Sequence, residues 1–442
     1  MFSRVTFERY VEQVCREIDA SQQIADALDV RLDRRVDSIY LGGGTPSLLA
    51  PEQLVRIFRA VRACFHIEDH AEITVECAPG TITPEILAAL LNCGVNRVSL
   101  GVQSFVDKEA SSVGRLHTRA IALDDIARLR ASGIGNISID LIAGLPHQTP
   151  ESWEFSLAET LATGVPHVSV YMLEVDEDSR LGHELLAGGS RYHAHFVPDE
   201  DLTADLYLAA CERLERGGVV QYEISNFARM VPLEARNSDH SASNRGCERQ
   251  QPGKEILPAS RREAAACFSE LGGQSRHNRK YWQRQPYLGF GVDAHSMLLS
   301  RDDLQRQAIE AVRFAMPDSL EGYSAAAQEL QPVASRIRQL QNSSTPIDAQ
   351  AALEEKFFLG LRLNEGIALE ELIRTADRRM PGIAEALTQA EMTVSELVAD
   401  GLLEKAGERV RLTPRGRLLS NEVFARFLSG RPEPEPAPGA RG

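Results

Sequence analysis

The feature that most constrains the fold is a repeated alternation of apolar segments with amphipathic ones. Apolar segments with the length of buried strands occupy 36–41, 72–77, 96–102, 135–142 and 167–173. Segments with helical periodicity follow them at 51–64, 83–93, 118–132, 150–163 and 200–216, and a short strand is predicted near 221–225. Strands that alternate with helices predict an α/β fold, with a parallel sheet and crossover helices. The chain itself opens on an amphipathic helix, because apolar residues recur at helical spacing from Phe7 to Ile18.

Composition narrows the class of protein. The 442 residues suffice for one large domain and a smaller one, and the net charge of −15 argues against a nucleic-acid partner. No apolar run reaches the ~18 residues of a membrane span, and the first ten residues do not form a signal peptide. Seven cysteines are scattered without metal-binding spacing, which suits a reducing cytosol and predicts a cytoplasmic protein without a metal site: Cys15, Cys64, Cys77, Cys93, Cys211, Cys247 and Cys267.

The first predicted strand runs directly into the sequence Gly42-Gly43-Gly44-Thr45-Pro46. Consecutive glycines let the backbone approach a ligand, because no Cβ stands in the way. Such a turn is more often only a tight connection, so the glycines alone leave both interpretations open. The first strand is not followed by a Gly-x-Gly-x-x-Gly motif, and this favours a barrel-like sheet over a dinucleotide-binding fold.

Polar residues fall where several predicted strands end, which is where barrels of this type bind ligands. Glu76 and Gln103 end two strands, Asp140 lies in an otherwise apolar strand, and Arg115 follows in a loop. An arginine fits a ligand carboxylate, and a carboxylate or amide fits a ribose diol or an ammonium group. From the residues alone, Asp140 is equally well a buried structural carboxylate, and Arg115 a surface residue.

Seven motifs, taken in order, resemble the radical S-adenosylmethionine family of oxygen-independent coproporphyrinogen oxidases. They occupy 42–45, 72–76, 96–105, 137–146, 222–229, 277–282 and 287–296. The resemblance covers roughly residues 5–229 and 275–428. The sequence His277-Asn278-x-x-Tyr281-Trp282 is similar to a motif that marks the haem-chaperone branch of this family.

The resemblance implies a six-stranded partial barrel, (β/α)6, that binds S-adenosylmethionine. The positions that match the family's binding residues are Gly43, Gly44, Thr45, Glu76, Gln103, Arg115, Asp140, Glu174 and His295. At Glu174 and His295 the haem-chaperone branch differs from the oxidases in residue type. No catalytic residue is identified.

Haem is the second ligand that the resemblance implies. His277 is a candidate axial ligand of haem iron, and Tyr281 and Trp282 are candidates to stack on the porphyrin. The alternative is that the motif only fixes the local structure.

The implied function is a haem chaperone that delivers haem to acceptor proteins such as respiratory-chain components. The alternatives are a coproporphyrinogen oxidase of porphyrin biosynthesis and a cluster-free remnant that only binds ligand. Whether the chain forms a homodimer is left open.

The family holds a 4Fe-4S cluster with a Cys-x3-Cys-x2-Cys loop directly after the first barrel strand. This chain contains no such loop. We therefore expect a barrel without its first strand, truncated at its N-terminus, whose reading frame continues upstream of Met1 through the cysteine loop.

The expected domain boundaries follow from the motifs and from composition. The partial barrel covers 1–229, a disordered insertion covers 230–274, and the end of the barrel domain and a linker cover 275–345. A C-terminal domain typical of the family covers 346–430. Its helices near 350–361, 367–376 and 382–400, followed by a hairpin, resemble a winged helix with a packing role. A proline-rich, disordered tail covers 431–442.

Overall fold

The computed structural model describes residues 4–173, 196–229, 272–301, 309–325, 332–375 and 382–428. The chain divides into two compact units, Met1–Ser21 with Asp33–Asn278, and Gln22–Leu32 with Arg279–Gly442. Glu174, residues 230–271 of the predicted insertion and the predicted tail all lie outside the described residues. Two segments that pass from one unit to the other, Ser21–Ala27 and Arg276–Trp282, are helical.

In the first unit, the described strands form a seven-stranded sheet in the order β1-β2-β3-β4-β5-β7-β6. Strands β1 to β5 are parallel to their neighbours, whereas β7 runs antiparallel to both β5 and β6. The strands are Arg35–Leu41 (β1), His66–Cys77 (β2), Arg97–Gln103 (β3), Asn136–Ala143 (β4), His167–Met172 (β5), Val219–Gln221 (β6) and Asn226–Arg229 (β7). The predicted α/β class with a parallel sheet is confirmed.

Helices connect successive parallel strands, and their ends follow from capping residues. Thr83 and Thr149 accept hydrogen bonds from Ile86 N–H and Ser152 N–H, and a proline takes the first position after each cap. Asp199 caps the helix before β6 by accepting from Leu202 N–H. The helices of this unit are Arg4–Asp19, Pro51–Cys64, Pro84–Asn92, Asp107–Ser112, Arg119–Ala131, Pro150–Thr163 and Glu200–Arg216, with a 3-10 turn at Pro46–Leu48.

The second unit contains two small antiparallel sheets in its described part. One has the order β10-β9-β8, with β8 His295–Leu299, β9 Ile309–Ala315 and β10 Thr345–Asp348. The other, β11-β13-β12, combines β11 Ile367–Ala368 with the hairpin of β12 Leu403–Ala406 and β13 Arg409–Leu412. Its helices are Leu320–Ala325, Pro332–Ser343, Ala349–Gly360, Leu369–Thr375, Ile383–Ala399, Pro414–Leu418 and Ser420–Ala425. Helices followed by a hairpin match the predicted winged-helix-like module.

Three expectations differ from the structure. The strand predicted near 221–225 is wrong, because residues 222–225 form the turn between β6 and β7, where Tyr222 N–H donates to Asn226 O. The linker predicted near 336–349 is also wrong, since a helix and β10 occupy that segment. The structure groups Arg279 and later residues with the C-terminal unit, whereas the sequence placed 275–345 mainly with the barrel. In the described part of the chain, no helix is long and apolar enough to cross a bilayer.

Candidate functional site

One face of the parallel sheet in the first unit lines a polar cavity of about 330 Å³. Side chains point to one face of a strand at every second residue, and the lining follows this period closely. The lining residues from β2 to β5 include Thr74 and Glu76; Arg97, Ser99, Gly101 and Gln103; Ser138, Asp140 and Ile142; and His167, Ser169 and Tyr171. Four neighbouring strands therefore contribute alternate residues to a single site.

Asp140 lies at the centre of this lining. Ser99 Oγ donates to its two carboxylate oxygens, at 3.0 Å and 2.9 Å, and Ser138 Oγ lies 3.4 Å from Oδ1. Burial raises the pKa of Asp140, while the hydroxyl groups around it, from Ser169, Ser99 and Ser138, act in the opposite direction. The carboxylate is therefore enclosed by donors that suit its ionised form, although its surroundings disfavour the charge.

Glu76 is the second carboxylate of the cavity. Tyr40 Oη donates to Glu76 Oε1 at 2.6 Å, and Gly43 N–H donates to Oε2 at 3.2 Å. Burial raises the pKa of Glu76, and the bonds from Tyr40 and Gly43 offset part of that rise. Gly42 is required for this arrangement, because a Cβ there would stand 2.5 Å from the Tyr40 ring and 2.8 Å from the Glu76 carboxyl carbon.

A guanidinium faces the two carboxylates. Arg115 lies over Gly101, where an added Cβ would stand 3.6 Å from its Nη1 atom. Burial lowers the pKa of Arg115, and the charges of Asp140 and Glu76 counteract that effect. The backbone N–H of Arg115 donates to Ala110 O at 3.1 Å, but among the described residues its guanidinium has no hydrogen-bond partner. The cavity thus presents two carboxylates and an arginine that is available to a ligand.

The structure brings together seven of the sequence-predicted binding residues. Gly44, Thr45, Glu76, Gln103, Arg115 and Asp140 line the cavity, and Gly43 contacts it through Glu76. His295 belongs to the second unit, where its Nε2 lies 3.6 Å from Asp293 Oδ1. Glu174 lies outside the described residues. The binding role of each of these residues stays a prediction.

The His277 motif divides between the two units. In the first unit, the imidazole of His277 stacks on the Tyr40 ring, and Asn278 lines the cavity. In the second unit, Tyr281 meets Tyr287 edge-on at 4.5 Å, and the Arg362 guanidinium lies 4.7 Å from the centre of the Trp282 ring. Porphyrin stacking by Tyr281 and Trp282 stays a prediction, because both rings here contact other side chains of the chain.

Sequence reasoning missed much of the lining. The sequence places five of these residues only within predicted apolar strands: Tyr40, Ser99, Ser138, His167 and Ser169. A usable signal was present, because positions two residues before a predicted binding residue share its face of the strand. Applied to Asp140 and Gln103, that rule finds Ser138 and Gly101.

The chain does not offer the ligands of an iron–sulfur cluster in its described part. No group of three or more histidine, cysteine or acidic residues there is arranged to hold a metal ion. The described cysteines Cys15, Cys64, Cys77, Cys93 and Cys211 are all free thiols. Burial raises the pKa of Cys77 to about 12, which disfavours the thiolate that binds iron. These residues do not fit a 4Fe-4S cluster.

Protein-family models and a solved structure match this chain. The Radical SAM superfamily matches residues 10–159, and the HemN C-terminal domain matches residues 347–419. The structure of coproporphyrinogen III oxidase (HemN) from Escherichia coli aligns with a TM-score of 0.68, over 97% of this chain and 85% of that one. At 20% sequence identity, this likeness shows the fold alone.

Named proteins with similar sequences identify the family of this chain. The chain is 29% identical to Heme chaperone HemW of Lactococcus lactis, over 89% of this chain and 85% of the relative. It is 31% identical to Heme chaperone HemW of Synechocystis, over 82% of this chain and 71% of the relative. It is 30% identical to a mitochondrial radical S-adenosyl methionine domain-containing protein 1 of Bos taurus, over 76% of this chain and 63% of the relative. The chain belongs to the Heme chaperone HemW family, within the radical SAM superfamily.

Proposed function

We propose that this chain is a haem chaperone, which binds S-adenosylmethionine in the cavity and haem through His277. The observation that carries the proposal is the direct contact between the two sites: His277 stacks on Tyr40, and Tyr40 donates to Glu76 in the cavity. Family membership supports the same pairing of ligands, because the relatives are named both for haem and for S-adenosylmethionine.

The charges of the cavity suit S-adenosylmethionine. That ligand carries a cationic sulfonium, an ammonium group, a carboxylate and a ribose diol. Glu76 and Asp140 match the cationic groups and the diol, and Arg115 matches the carboxylate. The hydroxyl of Thr74 also supports a polar ligand, because it is buried in the lining and has no hydrogen-bond partner among the residues that the structure describes. If bound there, S-adenosylmethionine would supply radical chemistry only together with a cluster, for which the described residues offer no group of ligands.

Haem binding is proposed for His277 because its position suits a ligand at the edge of the cavity. The backbone N–H groups of Arg276 and His277 donate to the two oxygens of Glu72, at 3.1 Å and 3.0 Å. These bonds fix the backbone at residues 276 and 277. The imidazole of His277 is held separately, by stacking on the Tyr40 ring. The acceptors that we propose are haem proteins of the respiratory chain, as the family resemblance implies.

Titration of haem into the purified chain tests the proposal. We expect a saturable absorbance change in the wild-type protein. The dissociation constant for haem should be at least about fivefold higher in His277→Ala, because an axial ligand is lost. His66→Ala is the matched control, since His66 is an exposed histidine at the start of β2, and it should bind like the wild type.

The outcomes separate the two parts of the proposal. Identical titrations for the wild type and His277→Ala would remove His277 as the ligand while retaining haem binding. An absorbance change that never saturates would contradict haem binding itself. Equilibrium dialysis of S-adenosylmethionine against the same samples then decides the cavity's role independently of haem.

A further inference from the structure

A column of hydrogen bonds joins the floor of the cavity to the segment that leads into the His277 motif. Ser275 N–H lies 3.1 Å from Tyr222 Oη, and Tyr222 Oη lies 2.9 Å from His167 Nε2. On its other side, His167 Nδ1 lies 2.7 Å from Ser138 Oγ, which in turn lies 3.4 Å from Asp140 Oδ1. His167, Tyr222 and Ser275 are all buried.

Along this column, the donor and acceptor atoms allow hydrogen bonds to be donated in one direction only. The ionised carboxylate of Asp140 only accepts, so Ser138 donates to it and accepts from His167 Nδ1–H. His167 Nε2 then accepts from the Tyr222 hydroxyl, whose oxygen accepts from Ser275 N–H. This assignment requires a neutral imidazole. Burial and the nearby charge of Arg97 lower the pKa of His167 well below its usual range, which agrees with it.

We propose that His167 is a positioning residue for the cavity. It holds Ser138 beside Asp140 and, through Tyr222, ties that pair to Ser275, two residues before His277. Binding in the cavity and the position of this segment are therefore coupled. The proposal rests on the proposed function for the identity of the cavity ligand, S-adenosylmethionine.

Tyr222 offers the sharpest test, because it belongs to the column but does not line the cavity. Tyr222→Phe removes one hydroxyl and leaves Ser275 N–H and His167 Nε2 without their partner. Tyr207→Phe is the matched control: Tyr207 is also buried, and its hydroxyl donates to Ile224 O at 2.5 Å and accepts from Gln221 Nε2 at 2.8 Å. Both variants lose a buried hydroxyl, and only one interrupts the column.

Equilibrium dialysis of S-adenosylmethionine with the full chain is the measurement. We expect affinity to fall about fivefold in Tyr222→Phe and to stay within about twofold of the wild type in Tyr207→Phe, although both lower Tm. Equal affinities in the two variants would overturn the coupling. Absence of binding by the wild-type chain would instead overturn the proposed function, and the inference with it.

Two substitutions of His167 separate the halves of the column. An asparagine amide at 167 reaches the position of Nδ1 and keeps the bond to Ser138, whereas a glutamine reaches the position of Nε2 and keeps only the bond from Tyr222. His167→Asn should therefore bind S-adenosylmethionine more tightly than His167→Gln, and the reverse order would contradict the proposal. NMR of 15N-histidine-labelled protein should find His167 neutral with its proton on Nδ1; the Nε2–H tautomer or an imidazolium would also overturn it.

Discussion

The imidazole of His277 stacks on the phenol ring of Tyr40, with centroids 4.5 Å apart and ring planes at 19°. The hydroxyl of the same Tyr40 donates to Glu76 Oε1 at 2.6 Å. Burial and the charges of Glu76 and Asp140 raise the pKa of Tyr40, so that its hydroxyl keeps the proton it donates. One side chain therefore contacts both His277 and a carboxylate of the cavity.

Tyr40→Phe should separate these two roles. The variant keeps an aromatic ring under His277 but loses the bond to Glu76, and hydrogen bonds to charged groups are worth about 1.5–3 kcal/mol. We expect calorimetry to show S-adenosylmethionine affinity about fivefold or more below the wild type, with haem affinity unchanged. Tyr40→Leu should weaken both ligands. Equal S-adenosylmethionine affinities in Tyr40→Phe and the wild type would contradict the role of this bond.

Asp140→Asn should stabilise the free protein and weaken ligand binding. Because burial raises the pKa of Asp140, the folded state binds that proton more tightly than the unfolded state does. The resulting stabilisation is fully present below the unfolded pKa and is lost as pH rises through the folded pKa. Replacing the carboxylate should add about 1 kcal/mol to the free energy of unfolding at pH 7 and flatten its pH dependence over that window.

Urea unfolding across a pH series measures this effect. Asp69→Asn is the control, because Asp69 is an exposed aspartate on β2. If the free energy of unfolding depended more steeply on pH in Asp140→Asn than in the wild type, the predicted direction of the effect would be wrong.

Gly43→Ala should combine a local strain with a loss of ligand binding. Gly43 has φ of +80°, which side chains other than glycine rarely adopt, although an added Cβ would meet no atom within 4 Å. Gly407 is a matched control in the turn of the β12–β13 hairpin, with φ of +63° and equally open space. Each alanine should cost about 1 kcal/mol. Dialysis should show weaker S-adenosylmethionine binding for Gly43→Ala alone; a similar loss in Gly407→Ala would point to global destabilisation.

Anaerobic reconstitution with iron and sulfide should leave this 442-residue chain without a stoichiometric 4Fe-4S centre. The reason is that its cysteines have no cluster spacing, and its described residues contain no group of three metal ligands. Iron and sulfide analysis is the measurement. Contents close to one whole cluster per chain, with the matching absorbance, would disprove the expectation.

The parallel sheet was predictable because its strands are buried and nearly continuous in apolar character. The β4 strand was predicted at 135–142 and spans Asn136–Ala143, and the helix predicted at 150–163 has those same ends. Thr149 and Pro150 fix the start of that helix locally. Helices and strands whose ends are set by adjacent residues were therefore predictable from the sequence.

Features set by partners distant in sequence were not found. His167 looks like an ordinary strand residue until Ser138 and Tyr222, 29 and 55 positions away, appear on its two nitrogens. The turn at 222–225 was misassigned because pairing of β7 with β5, rather than local composition, decides where strands form there.

Transfer of haem to an acceptor tests the central claim most directly. The chain is loaded with haem and mixed with membrane vesicles from haem-starved cells, which carry haem-free b-type cytochromes. The appearance of the reduced cytochrome b spectrum is then followed over time. Samples with the same amount of haem on His277→Ala, or on serum albumin, provide the comparison.

If the chain is a haem chaperone, the wild-type protein should restore the cytochrome b spectrum faster than haem on albumin, and His277→Ala should lose that advantage. Restoration by the wild-type chain at or below the rate seen with haem on albumin would contradict the account.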